Sequence, residues 1–327
     1  MADVCPAQVQ AQNEHSRASA SLKDRPRFAG DLCDINIAKD RSMMTKRDKR
    51  SVGGPSYIIQ GGQQGADRLK VLANATWPTT EPFLREAGLS SGSKCLDVGC
   101  GNGDITSRLF WLVGPAGEVF GVDFDQRIVE IARQSVAQLG LRVSFRALDV
   151  EKEELDGGPY DFVYARFLLS HLQTPEAAIR RMHAVLRPGG TLAVEDVDFR
   201  GHFCHPESPA FQRYVELYTQ AGVKRGVDPL IGPRLPELLE KEGFTDVRLR
   251  VVLPTFRSGD GKQIALLTLS AIQESVVAMR LADLAEVRRL LVELQRFTED
   301  ERTIMSLPRI FQVWGGRATM RRVRKPN

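Results

Sequence analysis

The sequence predicts an α/β fold: a doubly wound, mostly parallel sheet with helices on both faces. Three observations predict it. Apolar stretches of strand length alternate with segments of helical period from residue 94 to residue 198. The first strand runs into three glycines at alternate positions, in "KCLDVGCGNGD" (94 to 104). Acids follow at the ends of successive strands, Asp97, Asp123 and Asp149.

The elements follow in order. Residues 1–50 are polar, rich in small residues and without sustained period, which predicts a disordered extension. A helix is expected from near Gly65, with Leu69 and Leu72 on one face, and a second opened by Pro78, carrying Phe83 and Leu84 and stopped at Gly88. "KCLDV" is the first strand and "DITSRLFWLVG" its helix, with Ile105, Leu109 and Leu112 at helical spacing. "EVFGVD" precedes "QRIVEIARQSVAQLG", whose Ile128, Ile131, Val136 and Leu139 are expected inward. "VSFRALD" and "YDFVYA" are the third and fourth strands. "PEAAIRRMHAVLRPGG" opens on proline and is expected to stop at Pro188-Gly189-Gly190, before the strand "TLAVEDVD". Strands alternating with helices of this length mean βαβ units and a sheet covered on both faces. After residue 198 the rhythm changes. Residues 199–233 read as an inserted cover, "RLPELLEKEGF" and "TDVRLRVVLP" as a helix and strand, 263–298 as two amphipathic helices, and "PRIFQVWGG" as a seventh strand.

Composition narrows the class. The 327 residues are 42% hydrophobic and 26% charged, within the ordinary range of globular proteins. No apolar run approaches the ~18 residues of a membrane span, and the N-terminus lacks the apolar core of a secretory signal. Five cysteines, an odd number without a C-x-x-C pair, read as reduced thiols and a cytoplasmic setting. The net charge of +4 gathers in "TKRDKR" (45 to 50) and in the tail 317–327. No aromatic platform accompanies those charges, so solvated ends are expected rather than a nucleic-acid contact. The oligomeric state is not legible.

In an open parallel sheet, ligands sit beyond the carboxyl ends of the strands, where strand order reverses, and the glycine loop lies there. A dinucleotide fingerprint would read G-x-G-x-x-G. Here it is G-x-G-x-G behind Asp97, which suits a ligand carrying positive charge there rather than a phosphate. An acid ending the second strand, Asp123, can accept both hydroxyls of a ribose.

"LDVGCGNG", "VDFD", "ALDVEKEEL", "YDFVYARFLLSHLQTPE" and "LRPGG" together resemble the class I S-adenosylmethionine-dependent methyltransferases, over about residues 55 to 316. The flavour is similar to the small-molecule branch, including quinone-biosynthesis and natural-product enzymes. The resemblance implies a Rossmann-like seven-stranded sheet, a methyltransferase domain over 51–316 with a helical lid at 199–233 and 263–298, and S-adenosyl-L-methionine as cofactor. By position it implies that Gly99, Gly101 and Gly103 let the backbone approach the cofactor and that Asp97 orients the methionine amino group. Asp123 would hold the ribose hydroxyls, with Phe124 beside the adenine. Asp149 and the Val150 amide would contact the adenine edge, and Ala165 and Arg166 the methionine side. Gln64 and Arg68 would close over the cofactor carboxylate.

His171 is the candidate general base, because its ordinary pKa suits proton transfer near neutrality. Holding its loop by a hydrogen bond is the competing role. Glu195, Asp196 and Asp198 end the fifth strand and are candidates to face substrate, with capping or pairing to arginines such as Arg200 as the alternative. His202 and His205 are candidate substrate contacts in the cover. With Cys204 they suggest zinc ligands by type, but no second pair completes a set, so no metal is expected. The implied reaction is O-, N- or C-methylation of a small-molecule acceptor, with a macromolecular (RNA or protein) methyltransferase or a non-catalytic S-adenosylmethionine-binding regulatory protein as the alternatives.

Overall fold

The structure, a computed structural model, describes residues 62–319. The extension expected over 1–50, and the tail beyond residue 319, lie outside the described residues.

Helix α1 spans Gly62–Glu86 without a break, although Pro78 and Pro82 lie inside it and two helices were expected. Proline removes an N–H and leaves a carbonyl of the preceding turn without its usual donor. Side chains bond other carbonyls of this stretch and tie it to the sheet. Thr76 Oγ1 donates to the Leu72 carbonyl at 2.8 Å and Thr79 Oγ1 to the Thr76 carbonyl at 2.9 Å. Gln312 and Arg250 both donate to the Thr79 carbonyl at 3.1 Å.

The strands β1 (Lys94–Val98), β2 (Glu118–Asp123), β3 (Val143–Ala147), β4 (Tyr160–Arg166) and β5 (Leu186–Asp198) are joined by α2 (Asp104–Val113), α3 (Gln126–Gln138) and α4 (Pro175–Val185). In α3, Ile128 and Val136 point inward as expected, joined by Val129 and Ala132, whereas Leu139 follows the helix and is exposed. Helix α4 ends at Val185, ahead of the expected stop at Pro188. "LRPGG" enters β5, whose register against β4 shifts between Tyr160 and Phe162 to admit it.

Beyond β5 lie β6 (Cys204–His205), α5 (Pro209–Lys224), α6 (Leu235–Lys241), β7 (Phe244–Val252), β8 (Thr255–Phe256), α7 (Ile264–Ala278), α8 (Leu284–Glu299), β9 (Ile304–Ser306) and β10 (Arg309–Arg317). The main sheet has the order β3-β2-β1-β4-β5-β10-β7, with β10 antiparallel to both neighbours. A small antiparallel sheet, β6-β9-β8, was not foreseen, because strands of two or three residues carry no readable period.

Alternate residues of each central strand serve opposite faces. Leu96, Val98, Val163 and Val194 pack under α4 and α6 with Ile179, Met182, Leu235 and Leu239. Cys95, Phe162, Tyr164 and Ala193 pack under α1 and α2 with Phe83, Leu84 and Leu109. Helices α5, α7 and α8 bury their apolar residues mainly on one another and on Phe199 and Ile310.

Candidate active site

β1 pairs on one side with β2 and on the other with β4, so strand order reverses about β1 and opens a crevice at its carboxyl end. A cavity of ≈ 530 Å3 fills that crevice, within the roughly 300–1,000 Å3 typical of small-molecule clefts. Its wall takes in α1, the loop after β1, the ends of β2 and β4, and the turn from 167 to 174.

The glycine loop is bare for two reasons. Gly99 and Gly101 have φ of 76° and 53°, in the left-handed region. A side chain at either would also meet a neighbour at 3.0 Å, Leu168 or Leu69, each on the cavity wall. Gly103 shares the conformation but not the place. It precedes α2, where a side chain would meet Phe145 and Ala132, and it does not line the cavity.

Two of the three acids sit at the loop, Asp97 buried and Asp123 half-buried. Asp97 is 2% exposed, and Thr106 donates to it at 2.7 Å. Burial pushes its pKa up to about 6, against the Thr106 hydrogen bond and the Arg166 charge, which favour the carboxylate. Asp123 accepts from the Gly101 amide at 3.0 Å and the Asp125 amide at 3.1 Å, and burial raises its pKa as well. Each Asp123 oxygen retains a lone pair beyond these bonds. Asp149 lies two residues past β3 on the rim, accepting from Lys152 Nζ at 2.8 Å and the Glu151 amide at 3.0 Å. Phe124 and Val150 also line the cavity.

Two arginines and a histidine complete the polar wall. Arg166 Nη1 donates to Thr76 Oγ1 at 2.8 Å. Arg68, 7% exposed, reaches Thr268 Oγ1 at 3.5 Å through Nη1, while its Nε has no hydrogen-bond partner. His171 is 8% exposed. The protonation expected of it is corrected: burial first, then the Arg68 charge, lowers its pKa to about 3. It is neutral near pH 7 and a weak base.

A methyltransferase-domain family model matches residues 89–222. Demethylmenaquinone methyltransferase of Staphylococcus aureus (strain JH9) is 30% identical over 190 residues, covering 51% of this chain and 74% of that one. This chain belongs to the class I S-adenosylmethionine-dependent methyltransferases. Among solved structures, it resembles an S-adenosylmethionine-dependent methyltransferase from Aquifex aeolicus (26% identity, TM-score 0.41, 53% of this chain and 81% of that one). It also resembles the cyclase SpnF (20% identity, TM-score 0.45, 84% and 85%).

The cavity suits the cofactor of this family. That molecule joins a nucleoside to an amino acid, and the wall offers carboxylates for its hydroxyls and ammonium. The side chains of Ile128, Leu148 and Val150 add apolar surface for its base.

Several expected residues of the methyltransferase stand elsewhere. Ala165 is packed in the sheet core under α4. Gln64 falls within α1, but its side chain lies outside the described residues. Asp196 is buried away from the cavity and accepts from the Ser170 amide at 3.0 Å and its neighbour Val197, so it holds the turn after β4 from below. His202 packs among Phe199, Phe211 and Tyr214, and burial lowers its pKa to about 4. His205 is exposed in β6. Among the described residues, the His202, Cys204 and His205 side chains form no group able to hold a metal. Asp198 pairs with Arg200 at 3.0 Å and Arg309 at 2.9 Å, the pairing alternative.

The segments expected to form a lid stand as follows. No residue of 199–233 or 263–298 lines this cavity. Helix α7 is apolar on most sides and packs against α1, with α5 and α8 packed on α7 in turn. Sequence reasoning missed Thr106, Leu69 and the apolar stretch Leu72, Phe167, Leu168 and Leu172. The hydroxyl three positions into the helix after the glycine loop was a usable signal for Thr106. Phe167 has φ of 51°, a backbone state that its sequence does not announce.

Proposed function

We propose that this methyltransferase modifies a small organic molecule with an apolar body, in biosynthesis of the quinone or natural-product kind, in the cytoplasm. The observation that carries the reading is one cavity in which an apolar wall, Leu72, Phe167, Leu168 and Leu172, adjoins the acids and bare glycines of the loop. The likeness to a methyltransferase named for demethylmenaquinone, an apolar small molecule, supports it.

S-adenosylmethionine supplies a methyl group already activated on a sulfonium, so the protein's share is orientation and exclusion of water. Asp97 takes the amino group and Arg166, beside it, the carboxylate. Asp123 accepts both ribose hydroxyls with the lone pairs left over from Gly101 and Asp125. Phe124, Asp149 and the Val150 amide contact the adenine. His171 meets the acceptor as a neutral imidazole, a hydrogen-bonding partner that orients the nucleophile.

The test is incubation with cofactor labelled in its methyl group, offered fractionated small-molecule extract alongside RNA and protein. Label in the organic phase is expected. Label confined to RNA or protein refutes a small-molecule acceptor.

A further inference from the structure

We propose that the acceptor is a small organic acid and that Arg68 pairs with its anionic oxygens. The proposal rests on the methyltransferase reading above and names the substrate class of that same cavity.

Arg68 is buried on α1 and lines the cavity, its Nε is without a hydrogen-bond partner, and it makes no ion pair with any described residue. A buried cation lacking a counter-charge is expensive, and the usual remedy is an anion with hydrogen-bond acceptors. No described neighbour supplies one. Thr268 faces it from α7, and the charge of Arg68 acts on Tyr214 of α5 and on His171 of the turn after β4. All three are neutral: burial keeps the Tyr214 phenol protonated and His171 unprotonated.

Arg68 was expected over the cofactor carboxylate; with Arg166 taking that group, as proposed above, the cofactor's own charges leave Arg68 over. Its amino-acid end carries one ammonium and one carboxylate. Asp97 and Arg166, close enough for the Arg166 charge to stabilise the Asp97 carboxylate, match that pair. A second cavity arginine is left over. One turn along α1 from it, on the same face, Leu72 packs with Phe167, so an apolar surface adjoins the free cation. An acid with a flat apolar body fits both, with the guanidinium fork on its carboxylate.

The experiment uses the full chain saturated with S-adenosylhomocysteine and titrated in a calorimeter with 2-naphthoate and with its methyl ester. Naphthoate is expected to bind, and the ester about tenfold more weakly or worse, the loss of a charge-assisted hydrogen bond. Arg68→Gln should weaken naphthoate about tenfold while leaving S-adenosylhomocysteine within about threefold, and Arg68→Lys should restore part of the loss. If acid and ester bind alike, or neither binds, the inference is overturned. If Arg68→Gln instead weakens S-adenosylhomocysteine about tenfold, the guanidinium serves the cofactor carboxylate and the inference falls. A wild-type chain that fails to bind S-adenosylhomocysteine would sink the underlying reading itself, a result separable from the others.

Discussion

The two halves of α1 treat buried polar groups in opposite ways. Its C-terminal half faces Glu195 of β5, which is 1% exposed and accepts from Thr80 at 2.8 Å, from Tyr164 and from Gln312. Gln312 in turn accepts from Arg250 Nε at 2.8 Å, and Arg250 pairs with Glu86 at 3.1 Å. Donors there meet acceptors within the protein. The N-terminal half faces the cavity with the unpartnered Nε of Arg68. A satisfied polar cluster holds two elements together, while a group left wanting beside a cavity marks where a ligand completes the bonding. Glu195, a candidate substrate contact by sequence, belongs to the first kind.

The contrast can be broken at four points, taken from the largest effect down. Glu195→Ala strands several buried donors, each worth about 1–3 kcal/mol, so denaturant melts should show a loss of about 3 kcal/mol or more. Cofactor-product affinity of the folded fraction should hold, and an unchanged melt would deny the network its role. Asp123→Ala should do the reverse. S-adenosylhomocysteine affinity in calorimetry should drop by about 1–3 kcal/mol, the cost of an abandoned hydrogen-bonding site; full affinity would remove Asp123 from the ribose.

The third is a pH effect. The proposed contact of Asp97 with the ammonium needs the carboxylate form, and the Asp97 pKa stands at about 6. Affinity should therefore be level above that value and decline by up to about tenfold per pH unit below it. Asp97→Asn should flatten the limb, and persistence of the limb in that variant would assign it to another group. The smallest effect is expected of His171→Ala, a fall of about tenfold in turnover with cofactor affinity unchanged. Because His171 titrates near 3, the wild-type rate should show no limb of its own between pH 5 and 8. Undiminished turnover would leave His171 a wall residue.

The cavity was legible where function depends on chain-local chemistry. Asp97, Gly99, Gly101, Asp123 and Val150 lie within a few residues of strand ends, and a strand end in a parallel sheet has a known position relative to the crevice. The histidines were not legible. His171 and His202 were assigned by residue type, yet their protonation is set by burial, which depends on residues distant in sequence such as Arg68 and Phe211. The helix break at Pro78 failed for a related reason. Thr76 and Thr79 were visible beside the proline, but Arg250 and Gln312 reach it from far along the chain.

Period and glycine placement in the sequence alone determined the alternating α/β plan, the crevice at the end of β1 and the bare glycine loop with its acids that lines it, because backbone geometry and local spacing suffice for them. Only the tertiary structure decided that α7 packs against α1 with α5 and α8 behind it, that Glu195 is internally satisfied, and that Arg68 is buried with a donor to spare. Those outcomes depend on which distant side chains meet and on how much water remains between them, and neither is written in the order of residues.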